Sequence, residues 1–321
     1  MTEKRIVWLG GLLVVQLLVV AALLMGRADF RQEEQGPLFE FERADIDRVI
    51  ITEPTMTLEL VRRAARWQLA DETPADAAKI EDLLGKLAAL RAPWPVATTA
   101  GAQARFEVAD GNHQRRIRLE SAGEAVVDLY LGTAPGFRRL HARLPGRDEI
   151  YEVDLNHFQL PVDPDEWLDR GLLQAQGEIA AIAREGIWRL ARSDEGWLLE
   201  DGAADSAAAE QMAARLANLR VLGLADADQL AHADDIAAVF VVTDAAGPHR
   251  ISIRGTAEST EYVVVSDRVP GGYRLAAFIA EQLLTDAPMR RDPAAAAEDP
   301  GLAEDPQALA APPETLALPA D

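Results

Sequence analysis

DAAKIEDLLGKLAALR, residues 76–91, returns as DSAAAEQMAARLANLR at residues 205–220. Ile80, Leu83, Leu84, Leu87 and Leu90 of the first stretch sit at the same offsets as Ala209, Met212, Ala213, Leu216 and Leu219 of the second. That spacing places the apolar residues on one face of a helix. Asp76 and Asp205 stand where a side chain can accept from the free N–H groups of the first turn. A segment repeated with its cap and its buried face indicates a module present twice, and this sets the architecture before any site is considered.

The same correspondence extends outward. Upstream of the first helix, Ile46, Val49 and Ile51, then Leu58 and Leu60, then Trp67 and Leu69 read as three short strands with turns at Glu53-Pro54 and Ala64-Ala65. Their alternation is that of half-buried antiparallel strands. Ile179–Ile182, Ile187–Arg192 and Trp197–Glu200 take their places before the second helix. Pro93 and Pro95 stop the first helix. Downstream of it, Arg105–Ala109, Arg116–Ser121, Ala125–Leu131 and Phe137–Leu144 are expected as strands, with Glu149–Val153 as a fifth. Asp110-Gly111-Asn112 turns the chain between the first two. Short helical turns over Asp154–Leu160 and Pro164–Arg170 close the first half.

The second half offers Ala237–Thr243, Arg250–Arg254, Glu261–Ser266 and Tyr273–Ala277, then a helix over Ala276–Leu284. In this alignment Ile117 and Leu119 correspond to Ile251 and Ile253, and Arg139-Leu140 to Arg274-Leu275. Strands in runs, rather than alternating with helices, give an α+β class. The expected organisation is a cytoplasmic N-terminus and transmembrane anchor over 1–28, a linker over 29–43, α+β repeats over 44–171 and 172–290, and a disordered acidic Ala/Pro-rich tail over 291–321. Each repeat is an antiparallel β-meander with one principal packed helix.

Ile6–Met25 is an apolar run broken only by Gln16 and two glycines. As a helix it would be about 30 Å long, the hydrocarbon thickness of a bilayer. It exceeds the apolar region of a cleaved signal peptide, and Met25-Gly26-Arg27-Ala28 is a poor cleavage site. The reading is therefore an uncleaved signal anchor. Lys4 and Arg5 precede the span and Arg27 and Arg31 follow it, so flanking charge is nearly balanced. The very short leading segment stays in the cytoplasm in this reading. A single-pass membrane protein results, with its N-terminus inside and its repeats in the periplasm or outside the cell.

The chain has no cysteine, which excludes disulfides, thiolate metal sites and thiol nucleophiles. Its net charge is −21, and the tail from Asp292 onward carries acids and no basic residue. Such a balance disfavours nucleic acid and anionic lipid as partners. His113, His141, His157, His232 and His249 show no helical metal spacing. His113 and His249 fall near turns in the two halves and read as solvated imidazoles. There is no phosphate-binding glycine loop and no Gly-x-Ser-x-Gly elbow. Asp163, Asp165 and Glu166 before Trp167 suit a helix start, where acids complement the dipole. Gly132–Gly136 and Gly271-Gly272 read as hairpin turns, Trp67 and Trp197 as core residues. Arg62-Arg63, Arg66 and Arg138-Arg139 form local basic spots. No residue is put forward as catalytic, cofactor-binding or metal-binding.

The order of anchor, Ile-x-x-Val-x-Ile strand, Leu-x-Leu-x-Arg strand, Trp-x-Leu, capping Asp and helix ending Leu-x-x-Leu-Arg, then a second round, resembles an uncharacterised bacterial family of membrane-anchored proteins, domain of unknown function 4340. The resemblance covers most of residues 1–290. Members of that kind are often encoded beside gliding-motility-type ABC transporter subunits. It implies a non-enzymatic extracytoplasmic accessory subunit whose partner is an ABC-type permease or its auxiliary extracytoplasmic subunit. It implies no cofactor and carries over no site residue. Two further readings stay open: an extracytoplasmic hydrolase with dispersed carboxylates, and an envelope scaffold or chaperone-like binding module.

Overall fold

A computed structural model describes residues 36–200, 202–232, 236–255 and 260–285, with Gln16 alone before them. Apart from Gln16, the expected span Ile6–Met25, the linker as far as residue 35 and the acidic tail lie outside the described residues. Among the described residues no helix is long and apolar enough to cross a membrane. The chain divides into two compact units, one ending at Asp169 and one beginning at Arg170. Both are mostly antiparallel sheet with a few helices.

The first unit runs β1 (Arg48–Thr52), β2 (Thr57–Arg63), β3 (Arg66–Leu69), α1 (Ala77–Ala88), α2 (Ala100–Arg105), β4 (Val108–Ala109), β5 (Asn112–His113), β6 (Arg115–Ser121), β7 (Glu124–Leu131), β8 (Leu140–Arg143) and β9 (Ile150–Val153). Its main sheet has the order β3-β2-β1-β6-β7-β8-β9, and β4 and β5 form a separate hairpin. The second unit runs β10 (Ala181–Arg184), β11 (Trp188–Ser193), β12 (Gly196–Leu199), β13 (Gly202–Ala203), α3 (Ser206–Ala217), β14 (Gly223–Leu224), α4 (Ala227–His232), β15 (Ile236–Asp244), β16 (Gly247–Arg254), β17 (Glu261–Ser266), β18 (Gly272–Ala276) and α5 (Ala277–Leu284). Its sheet has the order β13-β12-β11-β10-β15-β16-β17-β18-β14. Without the two-residue edge strands β13 and β14, the orders are the same.

Side-chain alternation decides which residues fill the core. Val49 and Ile51 of β1 lie opposite Leu60 and Leu58 on one side and Leu119 and Ile117 on the other, and all six are buried. In the second unit Ile182 is flanked by Leu190 and Val242 in the same way. Asp76 accepts from the Lys79 N–H at 3.0 Å, and Asp205 from Ala207 and Ala208 at 3.0 and 3.1 Å. The helices then bury Ile80, Leu83, Leu84 and Leu87, and Ala209, Met212, Ala213 and Leu216.

Three sequence expectations are corrected. Arg105–Ala109 is not a strand of the main sheet: α2 occupies its start, Glu107 takes φ 55°, and only Val108–Ala109 pairs, across the Asp110-Gly111 turn. A helix-end conformation at Glu107 breaks the alternation that the residue types suggest. Phe137 lies outside β8, in the turn closed by Gly136 and Arg139. With Arg105–Ala109 removed, the correspondence between the units moves by one strand. Ile117 and Leu119 flank β1 as Phe240 and Val242 flank β10, so β6 answers to β15 rather than β16, and β8 to β17 rather than β18.

Between the principal helix and the fourth long strand, each unit inserts a small cap. In the first, Ala102 and Val108 of the cap are buried with Tyr130 and Ile150 of the sheet, and Ala97 and Phe106 pack against them. The cap reaches the sheet at Gly132, where an added Cβ would stand 2.0 Å from the Phe106 carbonyl oxygen. In the second, a Cβ on Gly272 would stand 2.5 Å from Cδ2 of Leu230 in α4. These glycines are needed for close approach rather than for the turns expected of them.

Candidate functional site

Trp67 and Trp197 are both buried, at equivalent places in the second hairpin strand. Each faces an arginine across the hairpin: Arg62 lies 5.9 Å from the Trp67 ring and Arg192 4.7 Å from the Trp197 ring. The polar surroundings differ. Trp197 Nε1 donates to Glu210 of α3 at 2.7 Å, and Arg192 pairs with the same carboxylate at 3.0 Å and with Glu178 at 3.0 Å. Those donors, the Trp197 N–H foremost, hold Glu210 below the usual carboxylate range. Glu81 occupies the matching position of α1, yet the buried Trp67 Nε1 has no partner among the described residues. Arg62 donates instead to the Ala44 carbonyl at 3.0 Å.

The densest group of ionisable side chains in the first unit surrounds Tyr130. Arg116 and Arg143 lie 5.2 and 5.1 Å from its ring, and His113 lies 4.5 Å away. Arg143 is buried and donates to the carbonyls of Val108 and Arg147 and to Asp110 at 2.6 Å, while Arg116 grips Asp128 with two bonds. The Arg143 hydrogen bond lowers the Asp110 pKa, and burial raises that of Tyr130. A pair exchanging protons near neutrality needs values drawn toward neutrality, and these are driven apart. The group fastens the cap to the sheet.

Other titratable groups are similarly engaged. His141 Nδ1 contacts Thr133 Oγ1 at 3.0 Å and Thr133 O at 2.9 Å, with Phe106 stacked on its ring at 4.0 Å. His157 Nε2 meets Gly132 O at 3.2 Å, and burial, aided by Arg115, lowers its pKa. His249 is buried in β16 rather than exposed at a turn, and burial lowers its pKa too. His113 lies in the β4–β5 hairpin, so the two are not equivalents. His232 closes α4. Asp163 caps a 3-10 turn over Pro164–Trp167, and Glu166 pairs with Lys79 of α1 at 3.3 Å. Arg63 pairs with Glu72, and Arg139 with Glu152.

One cluster escaped the sequence reading altogether. The Asp244 carboxylate is wholly buried and accepts two bonds from Arg268, each 2.6 Å, with further bonds from the Gln176 and Ala246 N–H groups. The Arg268 bonds outweigh burial and place its pKa far below the usual range. It joins the segment before β10, the β15–β16 turn and the end of β17. Its signal in the sequence is only an Asp before a turn.

The outer sheet faces also differ. In the first unit Arg48 pairs across strands with Glu59 at 3.4 Å and Glu120 at 3.7 Å, and Arg118 pairs with Glu120 along β6 at 2.9 Å. The corresponding residues of the second unit are Ala181, Arg189, Val241 and Thr243. A shallow groove of about 410 Å³ lies by the β10–β11 turn, lined by Ala183, Trp188 and Val241 together with Arg184, Glu185 and Arg189. Its lining mixes apolar and charged side chains, which suits contact with a side chain or peptide, and it presents no Ser, Thr or His. Among the described residues no group of three or more His, Asp or Glu could hold a metal ion.

One family, described as a domain of unknown function (DUF4340), matches residues 67–235, from Trp67 of β3 through the second helix to the start of β15. The chain belongs to this family. The match takes in just over half of the chain and parts of both units. Neither a curated protein nor a solved structure matches the chain.

Proposed function

We propose that this member of the DUF4340 family is a non-enzymatic, membrane-anchored accessory subunit that contacts an ABC-type permease, or its auxiliary subunit, on the extracytoplasmic side. In this reading Ile6–Met25 is the anchor and the two units are tandem copies of one module. The observation that carries it is the use made of the polar clusters. The groups around Tyr130, Thr133 and Asp244 hold caps, loops and strands in place, while the groove by the β10–β11 turn and several aromatic residues face outward. That is the economy of a binding protein rather than a catalyst. A single anchor beside a permease would raise local concentration enough for a weak interface to suffice.

Mild-detergent purification from native membranes tests the proposal. A permease or its auxiliary subunit is expected to accompany the chain, and removal of Asp292–Asp321 should leave that recovery intact. Crosslinked membranes that return only the chain itself, together with substrate turnover by the purified protein, would replace this reading with a hydrolase. Reporter fusions after Asp292 check the topology separately: alkaline phosphatase should be active there.

A further inference from the structure

Three loops meet at one end of the first unit. The Glu53–Met56 turn follows β1 and is joined by the Glu53–Arg115 ion pair to the start of β6. Arg115 also donates to the carbonyl of His157, and the His157 ring meets Gly132 O at the start of the β7–β8 loop. Each loop carries a large apolar side chain turned to solvent: Met56 is 47% exposed, Phe137 92% and Phe158 94%. The two phenylalanines show almost their whole surface and have no polar atom to satisfy. They stand on turns bonded from behind by Arg115, Gly132 and the Thr133–His141 contacts.

We infer that this end of the first unit, Met56, Phe137 and Phe158, rests on the lipid bilayer and inserts its aromatic side chains at the headgroup–acyl boundary. Three observations favour lipid over a protein. Side chains exposed by more than nine-tenths on separate turns form protrusions, which a fluid phase receives without a matching pocket. In a chain of net charge −21 the pairs Glu53–Arg115 and Arg139–Glu152 neutralise much of this end, with Arg138 beside Phe137, Glu107 hydrogen-bonded to Gln114 and Asp154 beyond β9. The acidic surface elsewhere makes this the part that approaches a lipid headgroup layer at least electrostatic cost. Finally, the residues between Met25 and Gly36 span at most roughly 35 Å when extended. This last point rests on the proposed anchor, whose tether also makes so small an apolar contact sufficient.

The absence of cysteine makes the test direct. Full-length chain carrying Phe137→Cys or Phe158→Cys is spin-labelled and reconstituted in phosphatidylcholine vesicles, with Leu198→Cys and Leu17→Cys as references. Collisions with oxygen, which concentrates in lipid, are compared with those of a water-soluble nickel chelate. Labels at 137 and 158 are expected to favour oxygen, as at 17, and the label at 198 to favour nickel. Adding Phe137→Ser should move the label at 158 back toward the nickel-dominated ratio; an unchanged ratio would mean these side chains do not hold the contact. If 137 and 158 behave like 198 while 17 lies in lipid, the anchor stands and the inference fails. If 17 also favours nickel, both fall. Shielding of 137 and 158 from both reagents would assign this end to a protein contact and overturn the lipid reading.

Discussion

The helices α1 and α3 start on the same cap and bury the same four offsets, yet their units are held together by different means. In the first, Ile80, Leu83, Leu84 and Leu87 fill the space, and Trp67 packs with its N–H unpaired. In the second, two of the four positions are alanine, and Trp197, Arg192 and Glu210 tie helix to hairpin by hydrogen bonds and charge. The same arrangement of strands can therefore be stabilised mainly by volume or with a share of polar bonding. A smaller helix face leaves less apolar area to bury, and directional bonds offset part of the difference.

The largest expected effect is at Asp244. Asp244→Asn leaves Arg268 without its carboxylate and should cost about 3–5 kcal/mol in the second unit. Asp47, which accepts from the Ala122 N–H at 2.8 Å across the corresponding turn of the first unit, should cost only about 1 kcal/mol when changed to Asn. Urea unfolding resolves the two units, and equal losses would erase the contrast. Asp244 titrates below its ordinary range when folded, so its contribution is complete at neutral pH and is lost as pH falls through that lower folded value. Acid unfolding of the second unit should accordingly flatten in the Asp244→Asn variant.

Leu84→Ala should cost about 2–5 kcal/mol by opening a cavity. The reverse exchange at the matching position, Ala213→Leu, should cost about 1–3 kcal/mol by overfilling. A thermal shift showing that Ala213→Leu stabilises the chain would mean the second core is loosely filled rather than differently filled.

Removing the Glu210 carboxylate as Glu210→Ala orphans the Trp197 N–H and should cost about 1–2 kcal/mol. Glu81→Ala, at the matching place, should stay within about 0.5 kcal/mol. Comparing the two by denaturant midpoint sharpens the distinction between bonded and merely packed tryptophans. The smallest effect concerns the β2–β3 turn, where Ala64 and Ala65 both adopt positive φ, 48° and 65°. Asn-Gly accepts that conformation with less strain, so Ala64→Asn with Ala65→Gly should gain about 1 kcal/mol.

The helices α1, α3 and α5, the caps of the first two and nearly every long strand were legible, because apolar period and capping chemistry are local. Trp67 and Trp197 were legible as core for the same reason. The α2 helix was not: Ala100–Arg105 is short, and the Phe106-Glu107-Val108 alternation pointed to a strand until Glu107 took a positive φ. That one segment displaced the correspondence between the units, since strand order rests on pairing partners far apart in sequence. His249 looked like a turn residue because it was matched with His113, whereas β16 carries it inward. The Asp244–Arg268 pair depends on a meeting across strands that no spacing announces.

The cap of the first unit is gripped chiefly through its main chain. Arg143 takes the Val108 carbonyl, the Thr133 N–H the Phe106 carbonyl at 2.9 Å, and Gly132 passes close beneath those of Phe106 and Glu107. Carbonyl oxygens are common to every residue type, so substitutions at the cap's exposed positions can accumulate with little loss of anchorage, while Ala102, Phe106, Val108 and Asp110 hold by their side chains. The partners on the sheet have no such freedom: a methyl at 132 or a shorter side chain at 143 would loosen the whole flap. Among relatives, the flap's exposed positions should drift in sequence while its two fixed points on the sheet stay put.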